Sequence, residues 1–174
     1  MGKIEIIEAD ITRLSVDAIV NAANRSLLGG GGVDGAVHRA AGPELVRVCA
    51  ELGGCNPGDA KITPGFKLPA RYVIHAVGPI WKGGSSKEAE TLESCYRRSL
   101  QLAVENKVHT IAFPAISCGV YAYPVAHAAK IAIKEVSSFL VKEPSITHVY
   151  LVTFGQRVYD AYQLAWSDLN RPHP

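Results

Sequence analysis

The chain has 174 residues, 48% of them hydrophobic and 20% charged, the size and apolar content of one compact globular domain. Its 18 Lys and Arg against 16 Asp and Glu leave a net charge of +2, short of the basic excess that marks sequence-independent nucleic-acid binding, so nucleic acid is not indicated as a partner. No apolar run approaches the roughly 20 residues that cross a bilayer, which argues against a membrane span.

In chain order, Lys3–Glu8 reads as a short strand and Ala18–Ala23 as a second that ends in Asn21 and runs on to Asn24. The glycines at 29–32 break the chain. Residues 33–41 and 43–52 follow as two short helices, with Gly42 ending the first and Pro43 opening the second. Strands are expected over 60–66 and Tyr72–Val77. A loop through Gly78, Pro79 and residues 83–86 closes that region, and Ser85 with Glu88 fits a capping box at the head of a long helix. Leu92, Tyr96, Ser99, Leu100, Ala103 and Val104 recur along that helix at helical spacing. A strand over 110–115 comes next. Pro124 opens another helix that Pro144 stops, residues 148–154 read as a strand buried on both faces, and a last amphipathic helix runs from Val158 to Leu169. This alternation implies an α/β fold with a largely parallel sheet. One domain is expected over 1–170, with 171–174 as a frayed tail.

Glu5, Glu8 and Asp10 interrupt the stretch that a secretory signal would need, so a cytoplasmic location is expected. Cys49, Cys55, Cys95 and Cys118 are too irregularly spaced for a disulfide framework, and neither CxxC nor HExxH occurs, so no metal site is expected.

Ligands of such sheets collect where strand ends meet helix N-termini, which singles out residues 10–12, 21–35, 117–124 and 154–156. Gly30, Gly32 and Gly35 satisfy GxGxxG, but residues 21–28 separate the strand from the glycines and no second strand with a terminal acid follows at dinucleotide-fold spacing. What remains is bare backbone before a helix, suited to an anionic or polyhydroxylated ligand. Asp34 stands at that helix start with His38 one turn on, placed either to orient a water or to cap the helix. Asn21 and Asn24 suit sugar hydroxyls, or turn formation. The 117–124 loop can cradle a diphosphate through backbone N–H groups. Cys118 as a nucleophile with His75 or His127 is weighed against a packing role, which is favoured. Asp10 can accept from an exocyclic amine, and Phe154 offers an aromatic face.

Taken in order, ADIT at 9–12, VNAAN at 20–24, GGGGVDGAVHRAAG at 29–42, HAVGP at 75–79 and FPAISCGVYAYP at 113–124 resemble the macrodomain family, in its MacroD-type branch. The resemblance implies a three-layer α/β/α sandwich around a mixed sheet, with ADP-ribose at the strand ends. It implies that Asp10, Ile11 and Phe154 meet the adenine and that Ser117, Cys118, Gly119, Val120, Tyr121 and Ala122 wrap the diphosphate. Asn21, Asn24, Gly31, Gly32, Val33, Asp34 and Tyr123 would surround the distal ribose. Asp34 and Asn24 would act in metal-free and cofactor-free hydrolysis of O-acetyl-ADP-ribose and of ADP-ribosyl esters on Asp or Glu of modified proteins. The alternative is a non-catalytic ADP-ribose reader. The chain departs from the family pattern at Ala9, at Cys118 and at Ala122, where a methyl group replaces the usual glycine and restricts positive φ.

Overall fold

A computed structural model describes residues 1–171. Its strands are β1 (Lys3–Glu8), β2 (Ala18–Ala23), β3 (Ala60–Pro64), β4 (Tyr72–Val77), β5 (Thr110–Phe113) and β6 (His148–Thr153). Its helices are α1 (Gly32–Ala41), α2 (Pro43–Glu51), α3 (Glu88–Glu105), α4 (Val125–Lys142) and α5 (Gln156–Leu169).

The six strands form one sheet in the order β1-β6-β5-β2-β4-β3. Every neighbouring pair is parallel except β3 with β4. Helices α1 and α2 cover one face, and α3, α4 and α5 cover the other. Strand alternation builds both halves of the core at once. Ala18 and Val20 of β2 with Ile74 and Ala76 of β4 pack beneath α3 and α4, whereas Ile19 and Ala23 with Val73 and Val77 pack beneath α1 and α2. By the same alternation Asn21 and His75, paired in register, face α1 and α2 as polar residues inside that apolar layer.

Three local expectations are corrected. Strand β5 stops at Phe113 rather than 115, because Pro114 has no N–H to continue the ladder; β3 stops at Pro64 rather than 66. The Ser85–Glu88 capping box does not form. Lys87, at φ 60°, precedes α3 without a side-chain cap, and the buried Glu88 carboxylate instead accepts the N–H groups of Lys82, Gly84 and Ser86 at 3.0, 2.8 and 2.6 Å. A single 3-10 turn over Ile11–Arg13 had no sequence period to announce it, and Asp10 caps it through Thr12 N. Of the expected tail, residues 172–174 lie outside the described residues. Among the described residues no helix is long and apolar enough to cross a membrane.

Candidate functional site

The carboxyl ends of the parallel strands lie in one row set by the strand order. Asp10 follows β1, Phe154 follows β6, the 114–124 loop follows β5, Asn24 follows β2 and Gly78 follows β4. A cleft of about 340 Å³ opens along the middle of this row, walled by Asn24, Gly30, Gly31, Gly32, Val33 and Asp34 on one side and Ser117, Gly119, Val120 and Tyr121 on the other. Ala22, Ala23, Gly78, Pro114, Ala115 and Ile116 complete it; sequence reading passed over these because small apolar residues carry no chemical signature.

Asp34 lies in the first turn of α1, and its side chain is 6% exposed. Gly31, not Asp34, is the N-cap residue, so the carboxylate is free of the capping role. Its Oδ1 accepts from Asn21 Nδ2 at 2.8 Å and lies 3.4 Å from His38 Nε2. A methyl group on Gly30 would sit 3.2 Å from Asp34 Oδ2 and 3.5 Å from Asn24 Nδ2, so the acid and the amide face each other across bare backbone. Asn24 is held there by donating to Gly29 O at 3.0 Å and accepting from Ser26 Oγ and Leu27 N.

Asn21 has no exposed surface. Rather than meeting a ligand, it sits behind Asp34, and its amide group donates a second bond to His75 Nδ1 at 3.2 Å. Because the amide group can only donate, Nδ1 accepts and the neutral ring carries its proton on Nε2, which lies 3.0 Å from Thr63 Oγ1. Burial, and then the neighbouring His38, push the His75 pKa down to about 3. The reverse orientation of Asn21 would set its carbonyl oxygen against the Asp34 carboxylate, so electrostatics selects this one.

In the 114–124 loop, the amides of Cys118, Ala122 and Tyr123 bond to Ala115 O, Gly119 O and Ser117 O. Those of Ser117, Gly119, Val120 and Tyr121 bond to no acceptor among the described residues, which leaves four N–H groups in a cleft wall for an anion. Two residues take left-handed backbone to make this turn, Ser117 at φ 66° and Ala122 at φ 59°. Gly78 lets the loop close: a Cβ there would meet Ser117 Oγ. Trp81 pins the far side, donating its backbone N–H to Tyr121 O at 2.8 Å and packing its ring on Tyr123 with centroids 4.8 Å apart. Tyr123 is therefore buried in the core, and Tyr121 is the tyrosine that lines the cleft. Cys118 and Ala122 also lie outside its walls.

Beyond the cleft, Asp10 and Phe154 flank the row on the adjacent strands β1 and β6. The Asp10 carboxylate accepts from Thr12 N and Oγ1 at 3.0 and 2.7 Å, and these bonds lower its pKa. Phe154 is 88% exposed, while Ile11 is buried. The Cys118 thiol is pushed up to about 11 by burial and contacts neither His75 nor the exposed His127, which leaves it a packing residue. Among the described residues no group of three or more His, Cys, Asp or Glu could hold a metal ion.

The Macro domain family model matches residues 20–132. Macro domain-containing protein CT2219 of Chlorobaculum tepidum is 61% identical over 162 residues, 93% of this chain and 94% of its own. A Citrobacter rodentium protein named O-acetyl-ADP-ribose deacetylase is 52% identical over 93% of this chain and 94% of its own. Among solved structures, the Oceanobacillus iheyensis macrodomain with ADP superposes at a TM-score of 0.93 with 44% identity, covering 97% of this chain and 92% of that one. A point mutant of the same macrodomain was solved with ADPR.

Proposed function

The chain belongs to the Macro domain family, and from that premise we propose that it binds ADP-ribose and hydrolyses its esters, releasing acetate from O-acetyl-ADP-ribose and ADP-ribose from acidic side chains of modified proteins in the cytoplasm. The observation that carries this reading is the buried Asp34 carboxylate in the cleft wall, opposite Asn24 across Gly30. Binding alone gives little reason to bury an acid where the distal ribose would lie, since desolvating a carboxylate costs free energy even where, as here, Asn21 donates to it. An acid placed to orient or deprotonate a water gives one. Attack of that water on the acetyl carbon breaks the bond to the ribose oxygen, which leaves as a hydroxyl, with acetate as the second product. Asn24 holds the ribose, and the ligand's own phosphate shares the proton-accepting role.

The remaining residues divide by strand. Asp10, Ile11 and Phe154 take the adenine, and the free amides of Ser117, Gly119, Val120 and Tyr121 take the diphosphate. Two relatives support the reading from outside, one named O-acetyl-ADP-ribose deacetylase and one solved with ADP. The test incubates the pure protein with O-acetyl-ADP-ribose and with glutamate-ADP-ribosylated protein, beside calorimetric titration with ADP-ribose. Product from either ester supports the hydrolase; binding without product from both makes the protein a reader.

A further inference from the structure

A second hollow of about 390 Å³ lies across the glycine loop from the cleft, walled by Leu28, His38, Arg39, Gly42, Pro43 and Val46. The two are separated by little. The His38 ring sits about 3.6 Å from where a methyl on Gly29 would be, with its Nε2 turned to Asp34, so one imidazole borders the hollow and faces the proposed catalytic acid. Gly30, Gly31 and Gly32 wall the cleft beside Asp34, and a Cβ on Gly31 or Gly32 would meet nothing within 4 Å, so this rim presents only backbone.

The hollow is apolar at its base and cationic at its edge. Leu28 is half exposed, and Val46 and Pro43 extend the apolar surface along α2. Arg39 is exposed, with Nη1 3.0 Å from the position of a methyl on Gly35. The exposed Lys67 lays its stem over Gly42, with Nζ 3.7 Å from a methyl placed there. Among the described residues neither cation has a carboxylate within 4.0 Å, and no carboxylate lines the hollow. Glu44, beside Pro43 in sequence, is not one of its walls.

Resting on the hydrolase reading above, we propose that this hollow docks the polypeptide of the ADP-ribosylated substrate, with the modified Glu or Asp in the cleft and its neighbouring residues passing over Gly31 and Gly32 onto Leu28, Val46, Arg39 and Lys67. The unpaired cations select segments rich in carboxylates, as expected where the modified residue is itself acidic. O-acetyl-ADP-ribose carries no polypeptide and never reaches the hollow. The two substrates therefore separate the docking surface from the chemistry.

The experiment compares wild type, Lys67→Glu, Arg39→Glu and Val46→Asp on three substrates: O-acetyl-ADP-ribose, a peptide ADP-ribosylated on a glutamate flanked by Glu, and the same peptide flanked by Ser. Expected is a loss in kcat/KM of about tenfold on the Glu-flanked peptide, carried by KM and diminishing with added salt, with O-acetyl-ADP-ribose turnover unchanged. Wild type should favour the Glu-flanked over the Ser-flanked peptide. Equal losses on all three substrates, or no loss on the Glu-flanked peptide while O-acetyl-ADP-ribose is still cleaved, overturns the docking surface and leaves the hydrolase standing. Wild type inert on every substrate defeats the hydrolase reading itself.

Discussion

Asn21 and His75 stand side by side in register on β2 and β4, and the Asn21 amide, its orientation set by the Asp34 carboxylate, donates to Nδ1 of the imidazole at 3.2 Å. The amide then holds Asp34 Oδ1 at 2.8 Å. A buried hydrogen-bond chain thus runs from Thr63 on the edge strand to the acid in the cleft.

If Asp34 orients the attacking water, Asp34→Ala should lower turnover of O-acetyl-ADP-ribose by about 10² to 10⁴. Affinity for ADP-ribose should change far less, because the residues proposed for the adenine and diphosphate follow other strands. Calorimetry and acetate release on one sample check both halves. Undiminished turnover would remove Asp34 from the chemistry.

Gly119→Glu probes the diphosphate loop without disturbing the fold, since a Cβ at Gly119 meets nothing within 4 Å and its φ is not positive. A carboxylate about 5 Å from one negatively charged phosphate at an effective dielectric near 20 costs about 3 kcal/mol, so ADP-ribose affinity should fall at least roughly 100-fold. An unchanged melting temperature with full affinity would mean the diphosphate lies elsewhere.

Ala122 holds φ 59°, a region that costs an L-residue roughly 1–2 kcal/mol. Ala122→Gly removes that strain while adding freedom to the unfolded chain, for a net gain of about 0.5–1 kcal/mol in urea unfolding. Its amide already bonds Gly119 O, so ADP-ribose affinity should be unchanged or slightly higher. Destabilisation would show that the methyl group packs favourably enough to outweigh its backbone.

His75 sets a pH dependence of stability. Its folded pKa of about 3 lies below its usual 6.5, so between those values the unfolded chain binds a proton that the folded protein does not. Stability is full above about pH 6.5 and falls as pH drops, by up to roughly 1.4 kcal/mol per unit. Asp10, Asp17 and Glu88 are lowered too and lose their contribution as pH falls, but from usual values of 3.8 to 4.5, so the window from pH 6.5 to 4.5 isolates the histidine. Urea unfolding across that window should show the slope in wild type and a flatter one in His75→Gln, whose amide can still bond Asn21 and Thr63. Equal slopes would contradict a neutral buried ring.

The strands, the glycine turn and the helix stripes were legible in the sequence because each follows a local period or a stereochemical stop such as Gly42 or Pro144. The row of strand-end segments was legible for the same reason. What lay beyond reach depended on which side chains the sheet brings together. Asn21, expected at the ligand, is withdrawn behind Asp34 because alternation along β2 turns it under α1. Tyr121 and Tyr123 are two residues apart in one loop, and only the loop's left-handed turns decide which reaches the cleft. Glu88 looked like half of a helix cap, whereas its partners are three amides of the preceding loop, a relationship no spacing rule records.

The placement of β1 at the edge of the sheet, with β6 as its sole strand neighbour among the described residues, bears on how the protein is made. Lys3 to Glu8 are made before the other five strands and must wait for His148 to Thr153, the last strand in chain order, before they have a ladder to join. Asp10 follows the first of these strands and Phe154 the second, so the two residues proposed for adenine come together only once β6 has been made. A nascent chain halted between the 114–124 loop and β6 carries Asp10 without Phe154. Recognition of the whole nucleotide therefore reports that translation has passed the last strand.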